Sequence, residues 1–301
     1  MKKKIISKLE IESELIKDFS GIFKNRSIKL NLKAKAGIEL FVSKKTGCII
    51  PEKYYGSLKN LEGWRGRYKN VYSSRSPHFL SRHTYTIETL KEILKLKKKN
   101  IADLGCGNGG LISLMSKSDR DNNYFGFEAS KENVIKNKKN FRSKSTKFIH
   151  SSIENIDQKK YQNFFDVIFM TWTLSATSKP LSIMKKIKQI TKKNKYLIIA
   201  ESSRILVPPV YTMEHYFNYG KKPSTFLNYP WRFSFNSLRN LLLLFDFEII
   251  HTNNYVHNEN MVIVAKKSEK IKKNYKKDNY KKVINFFNNW EKYSKLFKKF
   301  N

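Results

Sequence analysis

One stretch constrains the fold of this chain more than any other: Asn100-Ile101-Ala102-Asp103-Leu104-Gly105-Cys106-Gly107-Asn108-Gly109-Gly110. Its opening residues are mostly apolar and read as a buried strand. Four glycines follow within six positions, and Leu111-Ile112-Ser113-Leu114-Met115 then read as a helix. Glycine has no Cβ and takes positive φ readily, so backbone built from it can approach a ligand closely. A helix that begins behind such a turn offers unpaired N–H groups to a polar or anionic ligand. Strand, glycine turn and helix in this order form a cradle for a nucleotide-type cofactor.

Gly105, Gly107 and Gly110 fit the dinucleotide pattern G-x-G-x-x-G, and Glu128 follows at about the distance of a ribose-binding acid. Two details argue against a nicotinamide or flavin. Asp103 sets a carboxylate two residues before the first glycine, where it suits a cationic amine and opposes a pyrophosphate. Gly109 is a glycine that the dinucleotide turn does not require. The run Asp103-Leu104-Gly105-Cys106-Gly107-Asn108-Gly109 resembles the first motif of class I S-adenosylmethionine-dependent methyltransferases. Glu128 ends Tyr124-Phe125-Gly126-Phe127-Glu128, 25 residues after Asp103, where that family keeps its ribose-binding acid. Phe165-Asp166-Val167-Ile168-Phe169 is similar to the family's fourth strand. The resemblance spans roughly residues 65–267.

It implies S-adenosyl-L-methionine as the cofactor and an S-adenosylmethionine-dependent methyltransferase as the enzyme. Gly105 and Gly107 then lie beside the methionine moiety, Cys106 and Gly109 complete the turn, and Asp103 takes the ammonium directly or through water. Glu128 accepts the ribose hydroxyls. Ser151-Ser152-Ile153-Glu154 falls at the adenine edge: Ser152 stands where the family commonly has an acid, and the Ile153 N–H is left to hold the ring. Cys106 reads as a small packing residue and not as a nucleophile.

Beyond the cradle the pattern alternates. Strands are expected at 124–128, 146–150, 164–170 and 196–200, with helices at 130–140 and 179–192. This predicts right-handed crossovers and a parallel sheet, with ligands beyond the carboxyl ends of the strands, where Asp103, Glu128, Thr171 and Glu201 fall. A helix over 235–245 precedes strands at 248–252 and 261–266, joined as a hairpin. The expected class is therefore α/β, a Rossmann-like seven-stranded, mostly parallel sheet closed by a C-terminal antiparallel hairpin. An N-terminal extension (1–64) precedes the methyltransferase domain (65–267), and a Lys-rich helical tail (268–301) follows it. Within 1–45 only Ile28–Leu32 and Ile38–Val42 read as strands.

Residues 202–232 interrupt the domain after its fifth strand, and a long insertion there is expected to form the substrate pocket. His215 is the candidate general base, with Tyr211 and Glu201 as further catalytic-pocket groups. Residues 51–86 interleave rings with arginines, including Trp64, Arg65, Arg67, Tyr68, Arg82, His83 and Tyr85. They suit a lid over the cofactor that grips an acidic substrate, base stacking, or packing on the domain's flank.

The 60 Lys+Arg against 25 Asp+Glu give a formal net charge of +35. Such a surplus fits a nucleic-acid partner, or a compositional bias toward Lys, Asn and Ile that says nothing about partners. The tail, with Val283, Phe286, Phe287, Trp290, Tyr293 and Phe297 on one helical face, suits docking on its own domain, an anionic membrane or RNA. No stretch approaches the length of a membrane span. Two cysteines, Cys48 and Cys106, exclude a disulfide framework and a cysteine-only zinc site, so no metal is expected and a cytoplasmic setting fits. The expected acceptor is a small molecule, a sugar or other acidic metabolite. The rivals are an RNA methyltransferase, for which no RNA-binding motif is present, and a non-catalytic nucleotide-binding protein.

Overall fold

The structure, a computed structural model, describes residues 8–34, 38–52, 77–141, 143–201, 231–253 and 261–300. The chain begins with helix α1 (Lys8–Phe19) and three strands, β1 (Ser27–Ala34), β2 (Ile38–Ser43) and β3 (Ile49–Pro51). Helix α2 (Pro77–Ile93) leads into the alternating region. There β4 (Asn100–Leu104), α3 (Gly110–Ser118), β5 (Asn123–Glu128), α4 (Lys131–Asn140) and β6 (Thr146–His150) succeed one another. The short α5 (Gln158–Tyr161), β7 (Phe165–Thr171), α6 (Pro180–Ile190) and β8 (Thr191–Glu201) follow. The chain closes with α7 (Phe235–Leu244), β9 (Phe247–Thr252), β10 (Met261–Lys267) and α8 (Tyr280–Phe300).

The seven-stranded sheet has the order β6-β5-β4-β7-β8-β10-β9. Every pairing from β6 to β8 is parallel, and β10 runs antiparallel to both β8 and β9. This is the expected Rossmann-like sheet with one reversed strand. Helices cover both faces, so central strands can be apolar throughout; all seven residues of β7 are buried. Alternate residues serve opposite layers. Leu197 and Ile199 face the cluster with Ile183, Met184, Ile187 and Leu238, whereas Ile198 and Ala200 face Ile87, Leu90, Leu111 and Met115.

Three boundaries differ from the sequence reading. The sequence reads as a helix over 87–96, from the spacing of Ile87, Leu90, Ile93 and Leu94, whereas helix α2 starts at Pro77, because Pro is well suited to a first helical turn. Helix α6 ends at Ile190, where the extended Thr191 donates its hydroxyl to Ile187 O at 2.6 Å. Strand β8 therefore begins at Thr191 and not at Tyr196; a bulge with left-handed Asn194 lets Lys192 and Lys195 reach Asp166 at 2.9 and 3.7 Å. Helix α1 is an element the pattern did not suggest, and it buries Leu15 and Phe19 against the main core beside Trp231 and Phe233.

The small antiparallel sheet β1-β2-β3 receives the first turns of α8: Val283 and Phe287 are buried on Leu30, Leu40, Val42 and Ile49. This part of the tail docks on its own chain. Among the described residues no helix is long and apolar enough to cross a membrane.

Candidate active site

The three glycines of the turn that take positive φ do different work. Gly105 (φ +76°) lets the chain turn off β4, and a Cβ there would sit 2.7 Å from Thr173 Cγ2. At Gly109 (φ +74°) a Cβ would lie 3.1 Å from the Phe141 and Phe148 rings. Gly107 (φ +53°) has nothing within 4 Å of where its Cβ would be, so it marks the open side of the cradle. The turn is held by Gly105 N and Cys106 N, which both donate to Phe127 O at 2.8 and 3.0 Å.

Glu128 closes the loop from β5. Its carboxylate accepts Gly107 N at 3.0 Å and Ser130 N at 2.8 Å. From α4, buried Asn137 donates to Gly107 O at 2.9 Å. Ser130 caps α4 by accepting Asn133 N, as its position before the helix suggests. Asn137 was not legible in the lysine-rich α4 sequence, because its partner lies 30 residues away.

Asp103 is 2% exposed, and its Oδ1 has no hydrogen-bond partner. Burial, reinforced by the Glu128 charge, pushes its carboxyl up to about 8. A buried acid with an unfilled acceptor beside an open backbone turn is matched to a cationic ligand group. Burial and both carboxylates also push the Cys106 thiol well up, so it is an inert packing group. It fits because Gly126 lacks a side chain; a Cβ there would lie 2.8 Å from Cys106 Sγ.

Past β6, Ser151 N donates to Glu128 O at 3.0 Å, which sets the next turn beside the cradle. Ser152 is extended and makes no side-chain cap, and buried Ile153 opens a 3₁₀ turn through Asn155. Lys186 from α6 secures that turn by donating to Ile156 O at 2.8 Å and to Glu154 O. His150 ends β6 as an exposed ring, 3.1 Å from Ala129 O.

A second cluster forms at the carboxyl ends of β7 and β8. Thr171 O accepts the Thr173 hydroxyl at 3.0 Å. Trp172 takes φ +53°, an unusual value for a bulky residue, with its N–H on Ala200 O at 2.7 Å. The Arg82 guanidinium lies 3.6 Å over its ring and His83 meets it edge-on at 5.8 Å. Burial, helped by Arg82, pushes His83 down to about 4, so its ring is neutral at ordinary pH. Glu201 is buried; its two oxygens accept Ser175 N at 3.0 Å and the Ser175 hydroxyl at 2.7 Å. Burial raises its pKa, against the pull of Ser175, Arg232 and Arg82.

Asp103, the glycine turn and Glu128 thus come together at the carboxyl ends of β4 and β5, Ser152 and Ile153 follow β6, and Thr171 and Glu201 end β7 and β8 on the same edge of the sheet. Tyr211 and His215, and residues 53–76 of the arginine–aromatic stretch, lie outside the described residues. Among the described residues no cluster of three or more metal-ligating side chains occurs.

The sheet order and the acid–glycine cradle at its carboxyl edge define a class I, Rossmann-like S-adenosylmethionine-dependent methyltransferase. A family model described as a methyltransferase domain matches residues 95–299, and the chain belongs to that family. No curated protein sequence matches. A methyltransferase from Aquifex aeolicus has a similar structure, with 17% identity and a TM-score of 0.51 over 67% of this chain and 97% of that one. So does a chain from the complex of the Haloferax volcanii Trm112 methyltransferase activator with a methyltransferase: 12% identity, TM-score 0.52, 71% and 98% covered. The [4+2]-cyclase SpnF shares the fold at 14% identity and a TM-score of 0.51, over 65% and 85% of the two chains. The cofactor, S-adenosylmethionine, supplies an electrophilic methyl group when bound. The unfilled Asp103 acceptor and the open Gly107 backbone fit it.

Proposed function

We propose that this enzyme methylates a small molecule that carries an acidic group, in the reducing cytoplasm that its two free cysteines suit. The observation that carries this reading is the charge at the carboxyl ends of β7 and β8. Buried Arg232 and the stacked Arg82 both act electrostatically on Glu201, which sets two guanidiniums near the rim where ligands of such sheets sit. Planar guanidinium groups bind carboxylate or phosphate in two-pronged fashion.

In this reading residues 65–267 form the catalytic domain, with 1–64 and 268–301 as additions to it. Asp103 holds the ammonium, the Gly105–Gly109 turn with Cys106 lies along the methionine part, and Glu128 takes the ribose. Ser152 and Ile153 meet the adenine edge, and Thr171 lines the methyl-transfer side. Orientation of nucleophile, methyl and sulfur is the main catalytic contribution, worth roughly 7–11 kcal/mol in well-aligned systems. His215 is the proposed base and Tyr211 a pocket group. Glu201, with both oxygens engaged by Ser175, holds the 174–176 turn and balances the arginines in place of taking a proton.

The test is methyl transfer from labelled S-adenosylmethionine to a panel of acidic metabolites, with bulk RNA beside them. Label in an acidic metabolite, lost in Arg232→Met while cofactor affinity persists, is the expected result. Label in RNA alone, with binding that weakens steeply as salt rises, would replace this reading with the RNA methyltransferase that the net charge of +35 favours.

A further inference from the structure

A second concave feature lies at the opposite rim, by the amino ends of β7 and β8. There a cleft of about 500 Å³ opens between α5, the last turns of α6 and the end of β10. That is within the size range of small-ligand sites, roughly 300–1,000 Å³. Four lysines line it, Lys159, Lys185, Lys188 and Lys267, together with side-chain amides that include Gln162 and Gln189. Among the described residues neither a carboxylate nor an apolar side chain is part of the lining. The lining surface is largely the aliphatic stems of these side chains, and the polar groups they carry are ammonium and amide, which suit an oxyanion.

The positive charge is only partly neutralised by the surrounding fold. Lys267 Nζ donates to Lys188 O and Thr191 O, both at 2.6 Å, and to Asn163 Oδ1 at 3.2 Å. Those three acceptors use its three protons and anchor it at the carboxyl end of α6, which favours a cation. None of them is charged. Burial and repulsion from Lys188 lower the Lys267 pKa, against a weaker pull from Glu269. Lys188 does pair with Asp246, but Asp246 is shared with Lys273 at 3.3 Å. Exposed Lys159 and Lys185 make no ion pair among the described residues. Lys188 thus repels Lys267 at the edge of the hollow, and a bound anion would relieve that repulsion.

We propose that this cleft binds a phosphate group borne by a small molecule. Several lysines act as point charges toward such a group, and the amides supply directed N–H donors to its oxygens. Strand β7 runs from beside the cleft to the catalytic rim, and seven residues of strand span about 20 Å, so this ligand is distinct from the methyl acceptor. The inference is independent of the acceptor proposed above.

The experiment is calorimetric titration of the full chain at physiological ionic strength. The probes are inorganic phosphate, a phosphorylated sugar and an RNA oligonucleotide, and the comparison is with the double variant Lys159→Gln/Lys185→Gln. Both positions are exposed and outside every ion pair of the described residues, so fold and cofactor affinity should persist in the variant, as its melting curve and its S-adenosylmethionine titration would verify. The expected result is saturable one-to-one binding of a small phosphate, weakened roughly tenfold or more in the variant. Binding of free phosphate as tight as that of the sugar phosphate would identify the inorganic ion as sufficient, and tighter binding of the ester would identify an esterified ligand; either supports the site. Absence of saturable binding at millimolar concentration overturns the proposal, as does equal affinity in the variant. Binding of RNA alone, lost in the variant, also overturns it and makes the cleft part of a nucleic-acid surface.

Discussion

Replacing Asp103 with Asn should make the ligand-free enzyme more stable and its hold on the cofactor weaker. The carboxyl is 2% exposed with one unfilled oxygen, and its pKa is about 8 against a usual 3.8. The folded form therefore keeps a proton that the unfolded chain releases. Between about pH 4 and pH 8 the folded state binds more protons, so stability falls as pH rises through that window and is level above it. At pH 7 the penalty is about 4 kcal/mol, because each pH step above the unfolded value of about 4 costs roughly 1.36 kcal/mol. Asn is neutral in both states and avoids that penalty, but its amide still has to be desolvated at about 1–3 kcal/mol. A net gain of about 2 kcal/mol is expected, seen as a rise of several degrees in Tm.

The same carboxyl should make cofactor binding pH-dependent. If Asp103 receives the ammonium, it must ionise on binding and release close to one proton at pH 7. Wild-type affinity should rise up to tenfold per pH unit and level off above about pH 8. The Asn variant should lack this slope and bind about 10–150-fold less tightly, the worth of one charge-assisted hydrogen bond of about 1.5–3 kcal/mol. Calorimetry in two buffers of different ionisation enthalpy counts the proton, and melting curves from about pH 5 to about pH 9 follow the stability. An Asn variant less stable than the parent at pH 8, or no proton released by the wild type, would refute the reasoning.

Other substitutions separate support from binding. Gly107→Ala adds a methyl to open space at φ +53°, so it should lower stability by only about 1 kcal/mol while cofactor affinity in titration falls far more. Gly126→Ala pushes a methyl within 2.7–2.9 Å of Phe148, Cys106 and Ile112; denaturant unfolding should register a loss of about 1–3 kcal/mol. Thr46→Val removes the hydroxyl that donates to buried Asp18, whose carboxyl burial holds at about 6. The loss, about 1–3 kcal/mol, should be larger at pH 8, where Asp18 is ionised, than at pH 5; equal losses would mean that the hydroxyl serves packing alone.

The sheet was legible because strands buried on both faces become apolar runs, as Phe165–Thr171 does, and because positive φ at a cofactor turn selects glycine. Helix α1 was not legible. It buries Leu15 and Phe19 but leaves Leu9 79% and Ile16 44% exposed, which blurs the periodicity that marks an amphipathic helix. The candidate cofactor residues are marked by their spacing, whereas the residues that support them are not: Asn137, Ser175, Trp172 and Lys186 act on partners brought close only by folding. Tyr211 and His215 lie outside the described residues.

Glu128 illustrates what spacing leaves out. Its position after β5 suggests a ribose acceptor, yet the carboxylate already receives Gly107 N and Ser130 N. A ribose acceptor at this position would thus serve the turn as well as the ligand. One side chain therefore fixes the glycine turn and the start of α4 before the cofactor arrives, and Asn137 grips the same Gly107 from the other side of the peptide. A turn held at both its N–H and its carbonyl has little conformational entropy left to lose on binding, and this allows a short run of glycines to serve as a rigid cradle.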